Sequence, residues 1–187
     1  EPPYFTKHGL STEFIGYPVL EQKFYTKSET LRHEFNVADD AKIITITPGS
    51  RKSEISRHMP IIRKALDELT LTHKITAIFV QPNDLYIEHI SKYLVGTKFD
   101  FLFSTERLKS FAVSDIALAK SGTNTLEIAA SGTPMIVGYK LNVLTYSMLK
   151  IFIKIKYANI INIISNKEVI PEYIQSNFTA HNISYAL

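Results

Sequence analysis

The chain has 187 residues, 45% of them hydrophobic, and 21 Lys and Arg against 18 Asp and Glu, for a formal net charge of +3. That size and apolar content suffice for one globular domain with a sizeable core, and the small charge excess gives no case for a nucleic-acid partner. Cysteine is absent, which excludes disulfides and thiolate metal sites and permits, without demonstrating, a reducing compartment. The histidines at 8, 33, 58, 73, 89 and 181 are scattered, with no pair at ligand spacing, so neither a metal nor a cofactor is expected.

The chain opens Glu1-Pro2-Pro3 rather than with methionine, and residues 1–36 read as the end of a preceding domain and an interdomain linker. Phe14 to Val19 is expected as a short strand broken by Gly16 and Pro18. A polar helical connector follows from Ser28 to Phe35, and Ala38-Asp39-Asp40-Ala41 leads into a strand from Ile43 to Thr47. Regular alternation begins there. Residues 52–69 carry Ile55, Met59, Ile62, Ala65, Leu66 and Leu69 at three- and four-residue spacing, which predicts an amphipathic helix.

The next strand is Lys74 to Val80, followed after a turn by a helix from Leu85 to Leu94 with Asp84 as its N-cap. Phe99 to Phe103 reads as a strand, Glu106 to Val113 as a helix and Asp115 to Ala119 as a strand. Thr123 to Ala130 reads as a helix closed by Gly132 in a left-handed cap, and Pro134 to Tyr139 as a strand. Strands of near-continuous apolar content alternating with single helices predict an α/β fold, a parallel sheet with helices on both faces. Right-handed crossovers make it Rossmann-like, with ligands outside the carboxyl ends of the strands. Residues 37–165 are expected to form this domain, and 166–187 a C-terminal helix and tail.

Two loops fall at that edge. Pro48-Gly49-Ser50-Arg51-Lys52-Ser53-Glu54 follows the first strand of the alternation, and Ser121-Gly122-Thr123-Asn124-Thr125-Leu126-Glu127 follows Asp115 to Ala119. A strand running into a small-residue turn that opens a helix leaves backbone N–H groups and a positive dipole end pointing outward, which suits a phosphate. Gly49 and Gly122 allow close backbone approach, Ser50, Ser121, Thr123 and Thr125 supply hydroxyls, and Arg51 offers a fork of donors to phosphate oxygens. Glu54 either touches the ligand or caps the helix and pairs with Arg51. Glu127, one turn into the second helix, can accept hydrogen bonds from the two hydroxyls of a ribose. A phosphate site followed by a diol acceptor points to a nucleoside diphosphate.

Four blocks then carry a family resemblance: Pro48-Gly49-Ser50-Arg51-x-x-Glu54; Ser114-Asp115-Ile116-Ala117-Leu118-Ala119-x-Ser121-Gly122-Thr123-x-Thr125-Leu126-Glu127; Pro134-Met135-x-Val137-Gly138-Tyr139; and Asn162 with Glu168-x-x-Pro171-Glu172. In this order they resemble the C-terminal half of lipid-A-disaccharide synthase, over most of Ile43 to Gln175. Phe14-Ile15-Gly16-Tyr17-Pro18 is similar to the entry into that family's interdomain linker. The shorter Ser-Gly, Glu and Gly-x-Pro pattern also resembles the transferase that adds N-acetylglucosamine to the peptidoglycan lipid intermediate, which shares the two-domain GT-B fold.

The resemblance implies an inverting transferase that moves 2,3-diacylglucosamine from its UDP carrier to 2,3-diacylglucosamine 1-phosphate and releases UDP. This chain would be the donor-binding half, working without metal beside an N-terminal domain, in cis or in trans, that supplies the acceptor groove and general base. Arg51 is the first candidate to stabilise the departing diphosphate charge, with the donors of Ser121 to Thr125 as the second. Asn162 either orients diphosphate or donor sugar, or is a turn asparagine. Lys120 and Asn124 stand where small apolar residues are more usual, and Ser104-Thr105-Glu106 replaces a loop that commonly carries glycine. The chain alone is expected to bind UDP or a UDP-sugar weakly and not to turn over. The alternatives are a non-catalytic nucleotide-binding remnant or split-gene subunit, and a UDP-N-acetylglucosamine-using transferase or epimerase of the same fold.

Residues 141–155 contain ten large apolar side chains with only Lys150 and Lys154 as charges. The stretch is too short and too charged to span a bilayer. It either packs within the domain or lies at a membrane interface with its lysines toward anionic headgroups. Acylated substrates would bring the enzyme to the inner face of the cytoplasmic membrane, so a cytoplasmic location with a peripheral membrane contact is expected.

Overall fold

The β-branched run Lys42–Thr47 forms the first strand, β1, in a computed structural model that describes residues 2–81, 84–142, 146 and 156–187. Five more strands follow: β2 (Ile75–Val80), β3 (Asp100–Ser104), β4 (Ile116–Ala119), β5 (Met135–Tyr139) and β6 (Glu172–Ile174). All pair in parallel in the order β3-β2-β1-β4-β5-β6. This is the strand order of a doubly wound dinucleotide-binding sheet.

The helices are α1 (Pro2–Lys7), α2 (Glu29–Glu34), α3 (Lys52–Leu69), α4 (Ile87–Ser91), α5 (Arg107–Val113), α6 (Asn124–Ala130), α7 (Ile160–Ser165) and α8 (Ala180–Ala186). Alternation along β1 sends Ile44 and Ile46 to one face and Ile43 and Thr45 to the other. On the first face Ile44 and Ile46 join Phe79 and Leu118 against Ile55, Met59 and Leu66 of α3 and Ile183 of α8. On the second, Ile43, Ile78 and Val137 meet Phe111 of α5, Ile128 of α6 and Leu31 of α2. Both faces of the central strands are therefore dry. Thr45 tolerates this because its hydroxyl donates to the Ser110 carbonyl at 3.0 Å and also meets the Ser114 hydroxyl.

The helix expected over 52–69 forms with those bounds, and Gly132, at φ +71°, closes α6. Three expectations differ. Phe14 to Val19 joins no strand; its last residues enter a 3-10 turn, Pro18–Glu21. Pro18 has no N–H to give a ladder, and Phe14 and Ile15 lie exposed. The helix expected over 85–94 is a 3-10 turn, Asp84–Tyr86, then α4, so Asp84 lies in the turn and does not cap. Past α4 the amides of Tyr93 and Leu94 reach back three residues, to Ile90 and Ser91, in tightened turns. Finally, residues 166–187 contribute β6 as well as α8, so the sheet draws its sixth strand from that segment. The apolar stretch 141–155 falls largely on residues 143–145 and 147–155, outside the described residues.

Candidate functional site

The chain leaves β1 toward β2 and β3 on one side and later returns to β4, from which β5 and β6 extend the other way. The connections after β1 and β4 thus diverge, and a crevice opens between them at the carboxyl edge of the sheet. A cleft of about 860 Å³ lies there. Gly49 and Ser50 from the first turn and Ser121, Gly122, Thr123 and Glu127 from the second all line it, together with Thr47, Lys120 and Asn124. Parallel topology has brought together two turns more than seventy residues apart in sequence.

The first turn is shaped by Gly49 and Glu54. Gly49 sits at φ +139°, and a Cβ there would lie 2.9 Å from Cβ of Glu54, so a side chain is excluded by both backbone and space. Glu54, buried in the first turn of α3, reaches back past the N-cap Arg51 to accept the Ser50 amide at 3.1 Å. It also meets Arg51 at 3.5 Å and Lys120 at 3.0 Å. Burial works against its charge, but the Lys120 hydrogen bond and charge, the Ser50 amide and Arg51 together hold the carboxyl below its usual range. Of the sequence readings of Glu54, the ion pair with Arg51 is present, while the carboxylate steadies the turn ahead of the helix rather than capping it. The Arg51 side chain is 76% exposed and is not among the residues lining the cleft. Behind the turn, the His58 ring bridges the Pro48 carbonyl at 2.7 Å and the Lys140 amide at 3.1 Å, which ties the first turn to the end of β5.

The second turn is anchored by Thr47, whose hydroxyl accepts the Lys120 amide at 3.1 Å and the Asn124 side-chain amide at 2.9 Å. The backbone amides of Ser121, Gly122 and Thr123 find no acceptor among the described residues, leaving a row of donors along the cleft. The hydroxyls divide. Thr123 lines the cleft and makes no capping bond. Ser121 donates to the Ala158 carbonyl and Thr125 to the Gly122 carbonyl, each at 2.7 Å. Thr125 is buried and outside the lining.

At the far end of the cleft Glu127 is buried, and Arg107 grips it from α5: Nε lies 3.0 and 2.9 Å from its two oxygens and Nη2 2.7 Å from Oε1. That hydrogen bond raises the Arg107 pKa, against burial. Gln22, just past the Pro18–Glu21 turn, donates to Glu127 at 3.1 Å and accepts from Arg107 at 3.0 Å. Neither Arg107 nor Gln22 stood out in the sequence. Arg107 had a usable signal, since it opens the helix after β3 and so sits at the carboxyl edge; Gln22, 105 residues from Glu127, had none. Thr105, in the segment that replaces a glycine-bearing loop, also lines the cleft.

Asn162 lies apart from these residues. Fully buried in α7, its amide donates to the Ile170 carbonyl and to Glu172 Oε1, both at 2.7 Å. Its oxygen accepts the amides of Val169 and Ile170 at 2.8 and 2.9 Å. The hydrogen-bonding capacity of the side chain is thus used inside the fold. Glu172 in turn accepts the amides of Ala158 and Asn159, and Ala158 is the acceptor of Ser121. Asn162 therefore connects to the second turn through Glu172 and Ala158. Among the described residues no group of His, Asp or Glu is arranged to hold a metal, and no helix is long and apolar enough to cross a membrane.

A parallel sheet with a donor-lined cleft at its switch point is the arrangement of a doubly wound α/β domain that takes its ligand at the carboxyl edge. Among solved structures the chain is similar to MurG of Acinetobacter baumannii, with TM-score 0.58 at 15% identity over 95% of this chain and 47% of that one. It is also similar to WaaG, a glycosyltransferase involved in lipopolysaccharide biosynthesis, with TM-score 0.53 at 13% identity over 90% and 43%. These likenesses are of fold alone. The family model of lipid-A-disaccharide synthetase matches residues 1–187, and the chain belongs to that family. Lipid-A-disaccharide synthase of Rickettsia bellii is 52% identical over 98% of this chain and 49% of the relative, and that of Rickettsia conorii 49% identical over 100% and 42%. The chain spans about half the length of the curated relatives it matches.

Proposed function

We propose that this chain is the donor-binding half of a lipid-A-disaccharide synthase, with residues 37–165 forming most of the nucleotide-sugar site. The activity is transfer of 2,3-diacylglucosamine from UDP to 2,3-diacylglucosamine 1-phosphate with release of UDP. The observation that carries the reading is the meeting of the turns after β1 and β4 on one cleft of nucleotide size. In it the amides of Ser121 to Thr123, with Gly49, Ser50 and the Thr123 hydroxyl, receive the diphosphate. Glu127, already oriented by Arg107, accepts the ribose hydroxyls. Arg51, at the start of α3, reaches the departing diphosphate from the rim. Asn162 and Thr125 act by holding the turns in shape.

The acceptor groove and general base come from the family's other half, in cis or in trans, and the acylated substrates bring the assembled enzyme to the cytoplasmic face of a membrane. Titration calorimetry of the purified chain with UDP tests the reading. Binding is expected, and it is expected to weaken when Glu127 is changed to Gln. Absence of any heat with UDP overturns the assignment. Disaccharide formation from this chain and both lipid substrates alone would overturn the placement of the base in the other half.

A further inference from the structure

Of the two cations that line the cleft, Lys120 and Arg107, Lys120 is the more buried. Its backbone N–H donates to the Thr47 carbonyl and hydroxyl at 3.2 and 3.1 Å, which fixes where the side chain starts. Its ammonium lies 3.0 Å from Oε1 of buried Glu54 and 5.5 Å from the centre of the Tyr139 ring, which fixes where it ends. The side chain is only 20% exposed, yet the residue lines the cleft beside Gly49, Ser50 and Ser121. Glu54 also holds the Ser50 amide, so one carboxylate sets both the first turn and the lysine that faces it.

We propose that Lys120 is a diphosphate-binding cation of this chain, held ready by Glu54; the proposal rests on the nucleotide reading above. An ammonium carries three donors. One is spent on Glu54 and two remain for phosphate oxygens entering between the turns. Two cations, Lys120 and Arg51, face one carboxylate at this end of the cleft, so a surplus positive charge awaits an anion. Arg51 must order an exposed side chain on binding, whereas Lys120 is already immobilised, which favours the lysine.

The competing role is a merely structural one, in which Lys120 only neutralises Glu54. The test is titration of the chain, followed by NMR, with UDP and with uridine, which lacks phosphate. Lys120→Met is expected to weaken UDP binding about 10- to 100-fold, the range of a lost charge-assisted hydrogen bond, with uridine binding unchanged. Lys120→Arg is expected to restore most of the loss. Because Lys120→Met strands a buried carboxylate, the double variant Glu54→Gln/Lys120→Met is measured beside it, and the same selective loss of UDP binding is expected there. If wild type binds UDP and both methionine variants bind it equally well, or lose UDP and uridine in proportion, Lys120 has no diphosphate role and the nucleotide reading survives. If wild type binds neither ligand, both fall together.

Discussion

His58 shows how a single side chain near the cleft makes folding depend on pH. Burial penalises its imidazolium more than the Pro48 and Lys140 backbone and the Glu54 charge favour it, so its pKa in the fold lies below the usual 6.5. The unfolded chain takes up a proton as pH falls through about 6.5 while the folded chain resists. The stabilisation is therefore complete above that pH and is lost as pH falls below it. Denaturant midpoints of wild type are expected to drop between about pH 7.5 and 5.5, by at most about 1.4 kcal/mol per pH unit for one proton, and to drop less in His58→Gln. Equal slopes would show that His58 is not the group responsible. At this scale residue type and local pairing, as of Arg51 with Glu54, were legible, and partnership across the chain was not. Glu127 stood out because an acidic residue one turn into a helix after a Gly turn suits a diol; its grip by Arg107 and Gln22 depends on side chains 20 and 105 positions away.

At the scale of elements, Asn162 binds the start of α7 to the approach of β6. Replacing it with alanine leaves the Ile170 amide and carbonyl buried without partners and takes one of three donors from Glu172. Asn162→Ala is expected to lower stability by about 2–3 kcal/mol and to speed hydrogen exchange at Ile170 above that of β1. If stability were unchanged while UDP affinity fell, Asn162 would belong to the ligand site instead. Long periodic elements were readable: α3 has eighteen residues of one amphipathic stripe, and β1 and β2 are runs rich in β-branched residues and buried at nearly every position. Among the short ones β3, β4 and β5 were read, but α4 was expected to be longer and β6 was not expected. The five-residue α4 and three-residue β6 contain too few side chains to express a period, and β6 exists because β5 offers it an edge.

The whole molecule is closed by its C-terminal segment. Phe178 is buried against α3 and β5, where Gly138 makes room for it: a Cβ on Gly138 would stand 2.3 Å from Cε2 of that ring. With α8 packed on α3 behind it, the last residues seal the same core face that supports the first turn. Phe178→Ala is expected to cost about 3–5 kcal/mol and to lower the single unfolding transition as a unit. A mutant in which only β6 and α8 melt, with the remainder unchanged, would show instead that this segment is an appendage. Hydrophobic period, glycine placement and the two strand-turn-helix motifs are local in sequence, so they alone determined the fold class and most of the order of the elements, and they raised the expectation that the two loops bind phosphate. The crossing of the chain from β3 back to β4 at the centre of the sheet, and the resulting meeting of Lys120 with Glu54 and of Arg107 with Glu127, was decided only in three dimensions, because contacts across such distances depend on which strands pair and carry no local pattern.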